Sequence, residues 1–311
     1  MSRETLVFSS EFDPIDPWRE AVEAALPDVA VRSPDEIGPD ADVRYALVWK
    51  PPQGFFAAYP ALRLVTILGA GADAFAGRTD LPPVPVARLS DPAMARMMSH
   101  YVLFAVLRYA RDIPAFEAAQ REERWHYIHP REAREIRVGV LGLGELGGPA
   151  ALELARQGFD VGGWSRTPKV LPGVDTVAGP NSLRAFLARS EILVVMLPLT
   201  PDTRGLLGAE QLAALPAGAK LVNASRGPVV DEAALMEALT SGHLGGATLD
   251  VFEREPLAPG HPFWRLPNVL VTPHLASVAI PASAGRQVAD NIRRVRAGQP
   301  PRHLVDLARG Y

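Results

Sequence analysis

RVGVLGLGELGGPAALELARQGFDVGGWSR (137–166) packs four structural signals into thirty residues. A short strand-like run, Arg137 and the apolar 138–141, is followed by Gly142-Leu143-Gly144-Glu145-Leu146-Gly147, then by a stretch with helical periodicity, then by a second apolar run ending at Trp164. Strand, glycine turn, helix and strand in that order make a βαβ unit with a G-x-G-x-x-G at its first turn. Such a turn lets the backbone approach a pyrophosphate and points the positive end of a helix at it. Gly142, Gly144, Leu146 and Gly147 are therefore expected to bind a dinucleotide.

The end of the second strand selects the coenzyme. A carboxylate there holds the ribose 2′-hydroxyl of NAD and repels the extra phosphate of NADP. This chain instead has Ser165-Arg166-Thr167-Pro168-Lys169, with hydroxyls and two cations and no acid. Ser165, Arg166, Thr167 and Lys169 are expected to favour NADP(H), with NAD(H) as the lesser option.

Working outward, further strands are expected at 191–198, 219–227, 245–252 and 268–274, which gives a six-strand doubly wound parallel sheet. Before it, short apolar runs (6–10, 29–32, 46–49, 62–73) alternate with helical segments and imply a second parallel unit, ending at the PP and VPV cluster near 82–86. A long helix is expected from Asp91 as N-cap and Pro92 as first residue. Its stripe of Met94, Met97, Met98, Tyr101, Phe104, Ala105 and Arg108 is read as packing, within the fold or against a partner subunit. Residues 120–136 read as an exposed, charged connector.

Three ionisable side chains follow successive strands: Arg226, Glu255 and His274. Strand carboxyl ends border the ligand crevice in open α/β sheets. A carbonyl that receives hydride needs a proton donor, and histidine titrates near neutrality. A carboxylate bonded to the imidazole favours its protonated form, the role expected of Glu255. Arg226 stays charged and can hold a carboxylate with its fork. Taken singly, each has an ordinary reading as surface arginine, helix-start glutamate or core histidine. His100 lies on the long helix beside Ser99, away from any strand end, and is read as structural.

Composition limits the rest. The 311 residues, about twice the ~150 of a typical domain, suggest two domains. With 48% hydrophobic and 22% charged residues the chain can bury a core. A net charge of -3 gives no general attraction to nucleic acid or anionic membranes. The absence of cysteine excludes disulfides, thiol nucleophiles and cysteine-held zinc, and no metal site is expected. No apolar run spans a bilayer, and the opening MSRETLVFSS has no leader-like character, so a cytoplasmic location is expected.

VGVLGLGELG (138–147), LPLTPDTRGLL (197–207), VNASRGPVVDEAAL (222–235), GATLDVFEREPL (246–257) and VLVTPHLA (269–276) resemble the successive signatures of the D-isomer-specific 2-hydroxyacid dehydrogenases. ALVWKPP (46–52), LGAGAD (68–73), WSRTPK (164–169) and VDLARGY (305–311) resemble its bacterial glyoxylate/hydroxypyruvate reductase subgroup. The resemblance implies Arg226, Glu255 and His274 as the catalytic trio. It further implies carboxylate binding by backbone amides at Ala70 and Gly71, with Trp49 walling a small pocket and Arg226 also binding substrate. Pro198, Thr203, Ala224 and Asp250 are expected along the cofactor groove. The implied architecture is a Rossmann cofactor domain (100–281) inserted in a flavodoxin-like substrate domain (1–99 plus 282–311). The expected activity is NADPH-dependent reduction of glyoxylate to glycolate and hydroxypyruvate to D-glycerate, by a homodimer. A dehydrogenase for a bulkier 2-oxo acid is the nearest alternative. A dinucleotide-sensing binding protein, like the C-terminal-binding-protein corepressors that resemble this family, is the more distant one.

Overall fold

The structure is a computed structural model and describes residues 3–307, 309 and 310. Two positions of the 305–311 signature, 308 and 311, lie outside the described residues. In chain order come β1 (Glu4–Ser9), α1 (Ile15–Ala25), β2 (Val29–Arg32), β3 (Val43–Val48), β4 (Leu64–Ile67), β5 (Val86–Arg88), α2 (Pro92–Ala110) and α3 (Ile113–Arg121). Then follow β6 (Arg137–Leu141), α4 (Gly147–Arg156), β7 (Asp160–Ser165), β8 (Val174–Ala178), α5 (Pro180–Arg189) and β9 (Ile192–Val195). The chain continues through α6 (Ala209–Ala213), β10 (Ala219–Asn223), α7 (Glu232–Thr240), β11 (Leu244–Leu249), β12 (Val269–Val271) and α8 (Pro281–Arg296). The residues cluster into two compact units, Met1–Met94 with Val278–Tyr311, and Ala95–Ser277.

The first unit holds a five-stranded parallel sheet in the order β2-β1-β3-β4-β5, the flavodoxin-like arrangement. Its strands are nearly continuous apolar runs, as expected where both faces are covered; all four residues of β4 are buried. β5 falls at the proline-rich cluster expected to end the unit. It has three residues in a proline-rich stretch, too short for its periodicity to register. The chain's last segment pairs with its outer edge, Arg88 donating its N–H to the His303 carbonyl and Val305 to that of Val86. The helix α8 packs on α1, and Arg296 at its end bonds Glu4 and Asp28.

The second unit holds a seven-stranded parallel sheet, β12-β11-β10-β9-β6-β7-β8, the Rossmann order with one strand added. Along β9, Leu193 and Val195 face one apolar cluster with α5, α6 and α7, while Ile192 and Val194 face another with α2 and α4. Helices thus cover both faces of the sheet. The expected six strands become seven through β8. It is an edge strand whose residues are only partly buried, so it lacks the apolar run that betrays a central strand.

The capping expected of Asp91 is present, its Oδ1 accepting the N–H groups of Ala93 and Met94. Of the methionine stripe, Met94 and Met98 are buried, whereas Phe104 and Leu107 on the same helix are exposed. Ser99 bonds back to the Ala95 carbonyl, and His100 is exposed on the helix. The connector after α3 lies at the surface, Trp125 being 97% exposed.

Candidate active site

The strands β10, β11 and β12 are neighbours in register, with Asn223 level with Leu249 and Leu249 with Val271. Arg226, Glu255 and His274 follow these three strand ends by three, six and three residues. The loops are shaped by polar residues at the ends of the apolar runs. Asn223, 2% exposed, accepts the N–H and hydroxyl of Ser225 and donates to the Arg226 carbonyl. Asp250, 1% exposed, accepts the Thr272 hydroxyl (2.6 Å) and the N–H groups of Leu275 (3.0 Å) and Ala276 (2.8 Å). The His274 N–H in turn donates to the Asp250 carbonyl at 2.9 Å. Between these anchors His274 takes a left-handed backbone, φ 54°, a conformation unusual for a residue with a Cβ and held by its surroundings.

His274 Nδ1 lies 2.7 Å from Glu255 Oε2, and the other carboxylate oxygen of Glu255 accepts the Phe252 N–H at 3.1 Å. The side chains are 31% and 24% exposed. With Nδ1 committed to the carboxylate, Nε2 is the ring nitrogen that can pass a proton to a reacting oxygen. Arg226 donates through Nη1 to the Ser225 carbonyl at 2.7 Å. Nearby, Tyr101 bonds Thr272 at 2.7 Å. Burial, with the Asp250 charge adding to it, pushes the Tyr101 phenol well above its ordinary range despite that bond. Burial likewise pushes Tyr109, bonded to Thr248, up to about 12. Neither phenol competes with His274 as a proton source at neutral pH. The holding roles of Asn223, Asp250 and Thr272 escaped the sequence reading. Their only sequence signal is a polar residue closing each apolar strand.

The glycine turn joins β6 to α4. Gly142 has φ 111°, and a Cβ there would stand 2.7 Å from the Met196 carbonyl oxygen. A Cβ on Gly147 would stand 1.9 Å from the Gly142 oxygen, so both positions require glycine for the protein's own packing. At Gly144 a Cβ would meet no described atom within 4 Å. That open place lies at the start of α4, which has no side-chain cap. An uncapped helix end with a bare turn fits a pyrophosphate.

At the end of β7, Arg166, Thr167 and Lys169 are exposed. Ser165 is 6% exposed and donates its hydroxyl proton to the Thr167 carbonyl at 2.7 Å, which shapes the loop. Thr203 Oγ1 donates to the Pro198 carbonyl at 2.6 Å and accepts the Thr200 N–H. Ala224 is buried one residue beyond β10. In the first unit, Trp49 lays its ring against Gly69, where a Cβ would stand 2.7 Å from it, and Ala70 and Gly71 are half-buried in the loop after β4. Among the described residues no group of three or more His, Asp or Glu is arranged to hold a metal, and no helix is long and apolar enough to cross a membrane.

A glycine turn fit for a dinucleotide and a paired histidine and glutamate at the strand ends of the same sheet point to a nicotinamide-dependent oxidoreductase, and the chain belongs to the D-isomer specific 2-hydroxyacid dehydrogenase family. The model of that family's NAD-binding domain matches residues 103–276. A glyoxylate/hydroxypyruvate reductase A from Serratia proteamaculans is 39% identical over 98% of this chain and 99% of its own. Among solved structures, a D-isomer specific 2-hydroxyacid dehydrogenase from Xanthobacter autotrophicus Py2, in complex with NADPH and MES, is 62% identical. Its TM-score is 0.96, with 99% of this chain and 100% of that chain covered. An NADPH-dependent glyoxylate/hydroxypyruvate reductase from Sinorhizobium meliloti, in complex with NADP and sulfate, is 39% identical with a TM-score of 0.92 over 99% and 100% of the two chains.

Proposed function

We propose that the protein reduces small 2-oxo acids with NADPH, converting glyoxylate to glycolate and hydroxypyruvate to D-glycerate. The observation that carries this reading is the 2.7 Å bond between His274 and Glu255 at the carboxyl edge of a nucleotide-binding sheet. Full-length relatives of that activity support the choice of substrate. Gly142, Gly144, Leu146 and Gly147 would hold the pyrophosphate, and Ser165, Arg166, Thr167 and Lys169 the 2′-phosphate side, with Pro198, Thr203, Ala224 and Asp250 along the groove. NADPH bound there supplies the hydride that goes to the carbonyl carbon. His274 gives the proton from Nε2 to the carbonyl oxygen, and Glu255, bonded to Nδ1, fixes the ring. Arg226 holds the substrate carboxylate and polarises the carbonyl; it remains charged throughout and does not act as the acid. Asp250, fully engaged with the 272–276 loop, serves by holding His274 in place.

In this reading residues 100–281 handle the dinucleotide and residues 1–99 with 282–311 the substrate, the Ala70 and Gly71 amides taking its carboxylate and Trp49 limiting its size. A homodimer in the cytoplasm completes the proposal, supported by exposed Phe104 and Leu107 on α2; light scattering at micromolar concentration tests the assembly, a monomer refuting it. The substrate assignment is tested by following NADPH oxidation with glyoxylate, hydroxypyruvate, pyruvate and phenylpyruvate. The two smallest polar acids should have the highest kcat/KM. Preference for phenylpyruvate would instead favour the bulkier-substrate dehydrogenase, and tight NADPH binding without turnover a sensor.

A further inference from the structure

Arg88 is the last residue of β5, and its main chain is fixed from two sides. Its N–H donates to the His303 carbonyl at 3.0 Å, and its own carbonyl accepts from Gln287 Nε2 on α8 at 3.0 Å. From this anchored base the guanidinium reaches across to the loop after β4, where Nη1 donates to the Ala70 carbonyl at 3.2 Å. The neighbouring Leu89 N–H takes the Gly69 carbonyl at 3.0 Å. Two successive carbonyls of the loop are therefore held by two successive residues of the adjacent strand end.

The consequence lies in the peptide between Ala70 and Gly71. A trans peptide is planar, so its C=O and N–H point in opposite directions. Holding the Ala70 oxygen toward Arg88 turns the Gly71 N–H the other way. Glycine at 71 lacks the Cβ that would otherwise restrict rotation of this peptide, so an external restraint is needed to keep its orientation. We propose that Arg88 is a positioning residue that aims the Gly71 amide for the substrate carboxylate by holding the Ala70 carbonyl. This inference rests on the reading above in which the 70–71 amides take that carboxylate.

The test compares wild type with Arg88→Met, which keeps the stem and loses the donor, and with Arg88→Lys, which keeps one. KM for glyoxylate, kcat, NADPH affinity and thermal unfolding are measured for each. Arg88→Met should raise KM about tenfold, the size of one hydrogen bond from a charged donor, with NADPH affinity within about twofold of wild type. Arg88→Lys should bring KM back to within about threefold. If Arg88→Met does not fold, Arg88→Gln, whose shorter stem falls short of the Ala70 oxygen, carries the same expectation. A Gly71→Pro variant removes the amide proton itself, with its fold checked by unfolding. An unchanged KM in folded Arg88→Met alongside a raised KM in Gly71→Pro overturns the inference and leaves the carboxylate reading standing. Unchanged KM in both overturns the carboxylate reading. A KM in Arg88→Lys as high as in Arg88→Met also overturns positioning, since it points to the planar fork acting on substrate directly.

Discussion

Replacing Glu255 by glutamine should slow the reduction. The amide keeps the side chain's shape and can still accept the Phe252 N–H, but it removes the charge facing His274 Nδ1. A hydrogen bond between charged groups contributes about 1.5–3 kcal/mol net. With the two side chains 31% and 24% exposed, solvent screening places this pair at the lower end, about 1.5–2 kcal/mol. At ~1.4 kcal/mol per factor of ten, turnover should fall roughly 10- to 30-fold. The glutamine loses the charge that holds the ring through Nδ1, so the proton donor is less firmly placed. The assay is NADPH oxidation with saturating glyoxylate, with NADPH affinity measured in parallel by fluorescence. Unchanged turnover at equal NADPH affinity would refute the pairing argument.

Exchanging Ser165 for Asp together with Arg166 for Ala should shift coenzyme preference toward NADH by at least about tenfold, because one cation is lost and a carboxylate repels the 2′-phosphate; kcat/KM with each coenzyme measures it, and an unchanged ratio would mean that the 165–169 loop does not read the phosphate. Asp250→Asn places an amide donor against N–H donors of the 272–276 loop; a thermal midpoint lowered by several degrees and kcat reduced at least about tenfold are expected from the ~1–3 kcal/mol cost of a buried unpaired group. Glu4 is opposed by burial, yet the hydrogen bonds from Tyr45 and Arg296 outweigh it and hold its carboxyl below the usual range. Its stabilisation is therefore present above the ordinary carboxylate range and lost as pH falls through the lowered folded value. In Glu4→Gln, unfolding midpoints should depend less on pH between about 5 and 3 than in wild type.

The local code in this chain is strong where chemistry and backbone coincide. The turn at Gly142–Gly147 carries its own steric signature, and the trio is legible because each member follows a recognisable apolar strand. Edge strands were harder. β8 is only partly buried and β5 has three residues, so neither presents the buried run that marks the centre of a parallel sheet. Least legible were the residues that hold the site. Asp250 reaches positions 22 to 26 residues away, and Tyr101 meets Thr272 across 171 residues. No local pattern specifies such partners; they exist only after the strands have been ordered. Ser165 makes the same point at short range, since its hydroxyl turned inward to the Thr167 carbonyl where the sequence offered only a polar side chain at a strand end.

The most direct test of the account is glyoxylate-dependent NADPH oxidation by His274→Ala, paired with NADPH titration of the same variant. Loss of at least about 100-fold in kcat, the usual scale of a positioned proton donor, with NADPH affinity within about twofold of wild type, is the predicted result. Retention of most of the turnover by a variant that still binds NADPH would contradict it.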